Sequence, residues 1–175
     1  NTNDSGPGSL RQAVLDANTP SPKSRAFPSA STEIRFSSEL TRRTIVLTSG
    51  QLTSSLRTKF LAENFPEGIT ISGNNASRIL EVAPNNVVEL NSIHLTDGFA
   101  PLGGGAVLVG SEAGLTLNRC SISNSATTEL GGGIQFVKGA SLRLNQCTVS
   151  ACKARDGGGI HFYGLGGKEL RVENS

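Results

Sequence analysis

The sequence predicts an all-β fold, a parallel β-helix in which short strands wind around one axis in successive coils. Similar segments recur at a constant interval, as VELNSIHL at 88–95, LTLNRCSI at 115–122 and LRLNQCTV at 142–149. Glycine triplets recur between them, and short apolar pairs alternate with polar residues inside each repeat. A period of this length is typical of a solenoid, because one coil cannot bury its apolar face without neighbouring coils.

A short amphipathic α-helix is predicted near the amino terminus, within residues 9–18. Its apolar residues are spaced to form one helix face: Leu10, Ala13, Val14 and Ala17. Ser9 and Gln12 fit the capping box that begins many helices. We expect this helix to cover the end of the β-helix, where strand edges and core side chains would otherwise be exposed.

The remaining elements are expected in one domain, 1–175, of which 1–32 is the cap helix and its loop. Residues 19–32 are rich in Pro and Ser and predict a long loop. Irregular first coils are predicted at 33–85, and regular coils of about 27 residues at 86–175. The stretch SSLRTKFLAENFP at 54–66 fits the strand pattern poorly, and we interpret it as an outward loop.

Each regular coil contains three apolar pairs that predict three short strands with one buried face. In two successive repeats these are Leu115/Leu117, Cys120/Ile122 and Ile134/Phe136, then Leu142/Leu144, Cys147/Val149 and Ile160/Phe162. Cys120 and Cys147 are therefore predicted to point inwards, and Cys152 to be the more exposed thiol. Whether Cys120 and Cys147 form a disulfide stays open, and the cysteine spacing does not favour a zinc site.

Asparagines recur between the first and second apolar pairs, at Asn91, Asn118 and Asn145. We interpret them as a ladder of amides at a corner of the solenoid, in the left-handed backbone conformation that Asn tolerates. Three coincidental turn residues are the alternative, but the constant spacing favours the ladder.

Glycine triplets precede the third strand of each regular coil. They are Gly103, Gly104 and Gly105; Gly131, Gly132 and Gly133; and Gly157, Gly158 and Gly159, with the first interval slightly longer than the second. A phosphate-binding loop would need a lysine and a following helix, which these triplets lack. We therefore predict a tight turn at which a Cβ atom would obstruct the stacking of neighbouring coils.

Candidate chemistry is sparse. The acidic residues Asp97, Glu129 and Asp156 precede glycine triplets, so they are the candidates for a metal or acid–base site. We favour solvated loop charges instead, with Arg155 pairing with Glu129, and expect no metal and no cofactor. His161 is predicted to face outwards, between inward Ile160 and Phe162, and neither His161 nor His94 is predicted to have a catalytic role. Asn3 and Asn75 begin Asn-x-Ser sequons, which matter only if the source is eukaryotic.

The overall composition argues against two classes of partner. Sixteen Lys and Arg against fourteen Asp and Glu give a formal net charge of +2. This balance does not favour nucleic acid, and no apolar run is long enough to span a membrane. The sequence contains no Met, even at position 1. We expect a processed chain, or a fragment or subunit of a longer assembly.

Several segments in order resemble secreted right-handed parallel β-helix proteins. They include NDSGPGSLRQAVLDAN at 3–18, TIVLTSGQL at 44–52 and ITISGNNASRILEV at 69–82, followed by repeated GGG[AI]. The repeats are similar to those of polymorphic outer-membrane proteins and autotransporter passengers. This resemblance implies a single-stranded right-handed β-helix in a secreted or cell-surface, adhesin-like protein. The barrel or sorting signal that many members carry is not in this sequence.

Two functions follow as hypotheses. The first is a non-enzymatic extracellular structural or adhesive module, for example a component of a surface filament, with protein partners. It would self-associate through an open carboxy-terminal edge or through lateral faces, or bind surface polysaccharide. The second is a polysaccharide lyase, a glycosidase or a carbohydrate-binding remnant. That alternative requires an aromatic platform beside an acidic cluster, and the aromatic residues are only Tyr163 and seven Phe.

Overall fold

The computed structural model describes residues 1–20, 31–163 and 169–175. After helix α1 (Leu10–Ala17), short strands wind into a parallel β-helix. The strands of the first two coils are β1 (Thr32–Arg35), β2 (Thr44–Val46), β3 (Leu52–Ser54), β4 (Thr58–Leu61), β5 (Ile69–Ser72) and β6 (Leu80–Val82). A single 3₁₀ turn, Ser38–Leu40, connects β1 and β2.

The third coil and the coils after it follow the same plan, with an added short strand in the third and fourth. The strands of these two coils are β7 (Val87–Asn91), β8 (Ile93–Thr96), β9 (Phe99–Ala100), β10 (Val107–Val109), β11 (Gly114–Asn118), β12 (Ser121–Ser123), β13 (Ala126–Thr127) and β14 (Ile134–Phe136). The last described strands are β15 (Ser141–Asn145), β16 (Thr148–Ser150), β17 (Ile160–Phe162) and β18 (Leu170–Glu173).

Equivalent strands of successive coils pair in parallel and form three long sheets. The first sheet has the order β1-β4-β7-β11-β15-β18, the second β2-β5-β8-β12-β16, and the third β3-β6-β10-β14-β17. Strands β9 and β13 form a fourth, two-stranded sheet. Period-two alternation sends Leu115 and Leu117 inwards and Thr116 outwards, and the neighbouring strands repeat this pattern in register. The predicted β-helix is confirmed.

The predicted helix is also confirmed at its expected position. Its apolar face is buried, and Ser9 Oγ accepts the backbone N–H of Gln12 at 3.1 Å. The capping box is only half formed, because the Gln12 side chain donates to Asp16 instead of returning to Ser9. Asn18 Nδ2 donates to the Thr53 carbonyl at 2.7 Å and ties the helix end to β3. The helix therefore covers the amino-terminal end of the solenoid. Most of the loop predicted after it, at 21–30, lies outside the described residues.

The interpretation of 54–66 as an outward loop is wrong. Residues 58–61 form β4, which pairs with both β1 and β7 in the first sheet. Its inward positions are Thr58 and Phe60, and the buried Thr58 hydroxyl accepts a hydrogen bond from Ser54 at 3.1 Å. The two hydroxyl groups thus hydrogen-bond to each other inside the core. Because Thr58 is polar at an inward position, the sequence of β4 does not show the expected alternation of apolar and polar residues.

Candidate functional site

The glycine corners stack in an alignment that differs by one residue from the one predicted. Strand register aligns Val107 with Ile134, and Ile134 with Ile160, so the first of these coils is longer than the second by a single residue. The aligned glycines with positive φ are Gly104, Gly131 and Gly157, and their φ angles are +61°, +66° and +62°. Gly103 precedes this position, and Ala106 takes the place of Gly133 and Gly159 in the third position.

The corners of the third and fourth coils leave no room for a side chain at the second position of the alignment. A Cβ on Gly105 would overlap the carbonyl of Gly132, and a Cβ on Gly132 would overlap the carbonyls of Gly158 and Lys153. The backbones are held by hydrogen bonds such as Gly132 N to Gly157 O at 3.2 Å. The triplets thus act as the scaffold turn that the sequence predicts.

The asparagine ladder contains one amide-to-amide hydrogen bond among the described residues. Asn118 Nδ2 donates to Asn91 Oδ1 at 2.9 Å, and Asn91 in turn donates to Glu89 at 3.1 Å. Asn145 is in register with Asn118, but its side chain makes no hydrogen bond within the described ranges. The left-handed backbone lies on the following residues, Ser92, Arg119 and Gln146, rather than on the asparagines. That part of the prediction is wrong.

The three candidate carboxylates do not converge. Asp97 lies at the corner after β8, where its carboxylate accepts the Ser72 hydroxyl at 3.2 Å. Glu129 and Asp156 instead flank Arg155, whose guanidinium lies 2.6 and 3.1 Å from them. The hydrogen bond to Asp156 and the charge of Glu129 raise the pKa of Arg155. No group of three or more His, Cys, Asp or Glu in residues 1–20, 31–163 and 169–175 is arranged to hold a metal ion.

Both histidines occupy outward positions. His94 lies beside Ser121, with Nδ1 2.7 Å from its hydroxyl, and Nε2 is 2.8 Å from the Glu67 carbonyl oxygen. His161 is aligned with Gln135 and, one coil earlier, with Leu108. His94 therefore contacts two neutral groups of adjacent coils.

An arginine that the sequence did not single out holds one corner of the third sheet. Arg78 donates to the carbonyls of Gly103 and Gly104 at 2.8 and 2.9 Å, and to the Gln51 side chain at 2.6 Å. Burial lowers its pKa, and the nearby Glu81 carboxylate opposes this effect. These partners lie one coil before and one coil after Arg78, so only the coil alignment could have suggested them.

A surface cleft of about 360 Å³ lies beside the small fourth sheet. It is lined by Asn75, Asn124, Ser125, Ala126, Ala151 and Lys153. This lining offers two side-chain amides and one ammonium group. Asn75 is exposed, as is Asn3, so both sequons lie on the surface. The eight residues of α1 are too few to cross a bilayer, and no described helix is long and apolar enough to do so.

Comparison with protein families gives a match over most of the chain. The family described as a right handed beta helix region matches residues 29–175. Neither curated proteins nor solved structures give a match. The matched range begins just before β1 and includes every strand of the three stacked sheets. With its coils, corners and sheet order, the chain belongs to the right-handed parallel β-helix family.

Proposed function

We propose that this β-helix is a non-enzymatic structural or adhesive module of an extracellular or cell-surface protein, and that it self-associates through its carboxy-terminal coil. The unpaired strand edges of that coil are the main support for the proposal. Strands β16, β17 and β18 each end the order of their sheet, with one edge unpaired by described residues. Unpaired parallel edges recruit further strands.

Apolar side chains reinforce this edge. Leu170 and Val172 continue the inward ladders of Leu142 and Leu144, yet they are 45% and 52% exposed because no described coil covers them. Their burial by another strand is worth roughly 25 cal/mol for each Å² removed from water. The amino-terminal end is different, since α1 covers it. We therefore expect two copies to meet through their carboxy-terminal ends.

Sedimentation equilibrium of the chain and of the Val172→Lys variant tests this association. We expect concentration-dependent dimers of the unmodified chain, and at least a tenfold weaker association for Val172→Lys, because a lysine here would be buried without a partner. Val46→Lys is the matched control, since Val46 is an outward, partly exposed residue at the other end. A monomer at all concentrations, or equal loss in both variants, contradicts the proposal.

A second candidate function is binding of surface polysaccharide in the cleft beside the fourth sheet. Amide groups and Lys153 border this cleft, and no ion pair of Lys153 is found within the described residues. Hydrogen-bonding amides beside a cation suit an acidic sugar. Calorimetry with polygalacturonate oligosaccharides, against Lys153→Ala, tests it: binding that Lys153→Ala abolishes supports the cleft. An assay for unsaturated products in the same samples tests the lyase alternative.

A further inference from the structure

Two buried thiols lie directly above each other in adjacent coils. The pairs Asn118/Asn145 and Ser121/Thr148 are in register on either side of Cys120 and Cys147. The amide of Thr148 donates to the Cys120 carbonyl at 3.0 Å, which fixes the two corners together. Adjacent parallel strands lie about 4.8 Å apart. This spacing falls within the usual Cα separation of disulfides, about 4.4–6.8 Å.

The sulfur atoms share one orientation. Cys120 Sγ lies 3.4 Å from the carbonyl oxygen of Leu90, and Cys147 Sγ lies 3.3 Å from that of Leu117. Each of these carbonyls belongs to the preceding coil, so the sulfur of Cys147 leans towards the coil that holds Cys120. Both side chains are free thiols in this structure. Rotation of the Cys120 side chain away from Leu90 would move its sulfur towards that of Cys147.

The local environment distinguishes the two thiols. The neighbouring Cys120 side chain lowers the pKa of Cys147 to about 6, and the Cys147 side chain raises the pKa of Cys120. Backbone groups of Cys120, Asn145 and Arg119 also lower the pKa of Cys147, while burial opposes this effect. Cys147 also lies in the fifth coil, whose strands β16 and β17 are sheet edges. Local opening of such an edge coil gives small reagents access to its thiol.

We propose that Cys120 and Cys147 form a thiol–disulfide exchange site. A small disulfide of the glutathione class oxidises the two thiols, and the resulting Cys120–Cys147 disulfide ties the fourth coil to the fifth. The Cys147 thiolate attacks one sulfur of the external disulfide, breaks its S–S bond and releases one thiolate, which takes up a proton. The Cys120 thiol then loses its proton and attacks the Cys147 sulfur of the mixed disulfide. The protein S–S bond forms, the second external thiol leaves, and the external disulfide has been reduced to two thiols.

The test uses the Cys152→Ser variant, because Cys147 and Cys152 share the tryptic peptide 144–153, whereas Cys120 lies in 120–138. The folded variant is incubated with oxidised and reduced glutathione, quenched with acid and mapped without reduction. We expect a cross-link between these two peptides and the loss of two hydrogen atoms from the intact mass. Since the bond closes a loop of about 27 residues, the midpoint of thermal unfolding should rise by roughly 5–10 °C.

The same variant oxidised in urea is the control, since there the cross-link requires no folded geometry. Two free thiols in the folded chain, while the unfolded chain cross-links, overturn the proposal. Disulfides found only between molecules, or a cross-linked chain with a lower unfolding midpoint, also overturn it. If Cys152→Ser does not fold, the unmodified chain alkylated at Cys152 in its native state takes its place.

Discussion

Arg11 Nη2 lies 2.9 Å from Asp4 Oδ1, and this pair fastens the cap helix to the first coil. The other oxygen of Asp4 accepts the backbone amides of Thr48 and Ser49 at 3.0 and 2.7 Å. Arg11 also donates to the Gly50 and Gln51 carbonyls. One carboxylate thus joins the segment before the helix to the loop after β2, far away in sequence.

This contact predicts a specific loss of stability in acid. Burial by itself raises the pKa of Asp4, but hydrogen bonds from Ser49, Arg11 and Thr48 lower it to about 2, below its ordinary value of 3.8. The carboxylate therefore stabilises the fold fully above pH 3.8, and this stability is lost as the pH falls towards 2. Asp4→Asn should remove about 1 kcal/mol at pH 7 and flatten the pH dependence in that window. Urea unfolding from pH 7 to pH 2 measures the loss of stability and its pH dependence. Asp16 is an exposed acid on α1, so the control variant Asp16→Asn should lose stability in acid as the unmodified chain does.

Substitution at the second glycine of a corner should prevent folding. Gly132→Val places atoms on the carbonyls of Gly158 and Lys153, which belong to the stacked backbone and cannot move aside. We expect a loss of at least about 3 kcal/mol, seen as missing β-structure in far-ultraviolet circular dichroism. Gly114→Ala is the matched control, because the nearest atom to its Cβ would be the Ser141 hydroxyl oxygen, at 3.2 Å. Similar unfolding of both variants would show that the corner is not special.

The asparagines of the ladder should contribute unequally to the free energy of unfolding. Asn118→Ala removes the donor to Asn91 and should cost about 1 kcal/mol in the free energy of unfolding. Asn145→Ala removes a side chain without a hydrogen bond among the described residues, and we expect only a few tenths of a kcal/mol. Denaturant unfolding of the two variants side by side measures the difference. Equal losses would mean that the shared backbone corner, not the amide contact, sets the energy.

Native thiol labelling should modify Cys152 first. Its side chain is partly exposed, whereas Cys120 and Cys147 are 4% and 5% exposed. Burial nevertheless raises the pKa of Cys152, so the reaction with iodoacetamide is best followed at mildly alkaline pH. Peptide mapping of reduced protein at successive times identifies the modified residues. Faster labelling of Cys120 than of Cys152 would contradict the inward position of the stacked thiols.

The regular repeats made the β-helix predictable from the sequence. The errors arose where individual residues depart from the repeat pattern. Leu115, Leu142 and their neighbours recur at a constant interval, so their strands followed from the sequence. Strand β4 was missed because Ser54 and Thr58 are polar residues that bond to each other inside the core. The glycine alignment was one residue off because Ala106 fits where the next coils have Gly133 and Gly159.

Long-range polar contacts were beyond the reach of a sequence pattern. Asp4 and Arg78 lie outside the regular repeats, and neither has a periodic counterpart to indicate its partners. The acidic candidates shared a position before the glycine triplets, but they were assigned by sequence proximity alone. The structure separates Asp97 from Glu129 and Asp156, because the corner after β8 and the loop before the triplet are different parts of a coil.

The small difference in length between successive coils has a consequence for the register of later strands. The missing residue is absorbed before Gly157, and pairing resumes unchanged at Ile160. A difference in the length of one coil therefore does not shift the register of the strands that follow. The stretch between the end of the second sheet and the glycine corner accommodates this one-residue difference, and the strand after the corner keeps its register.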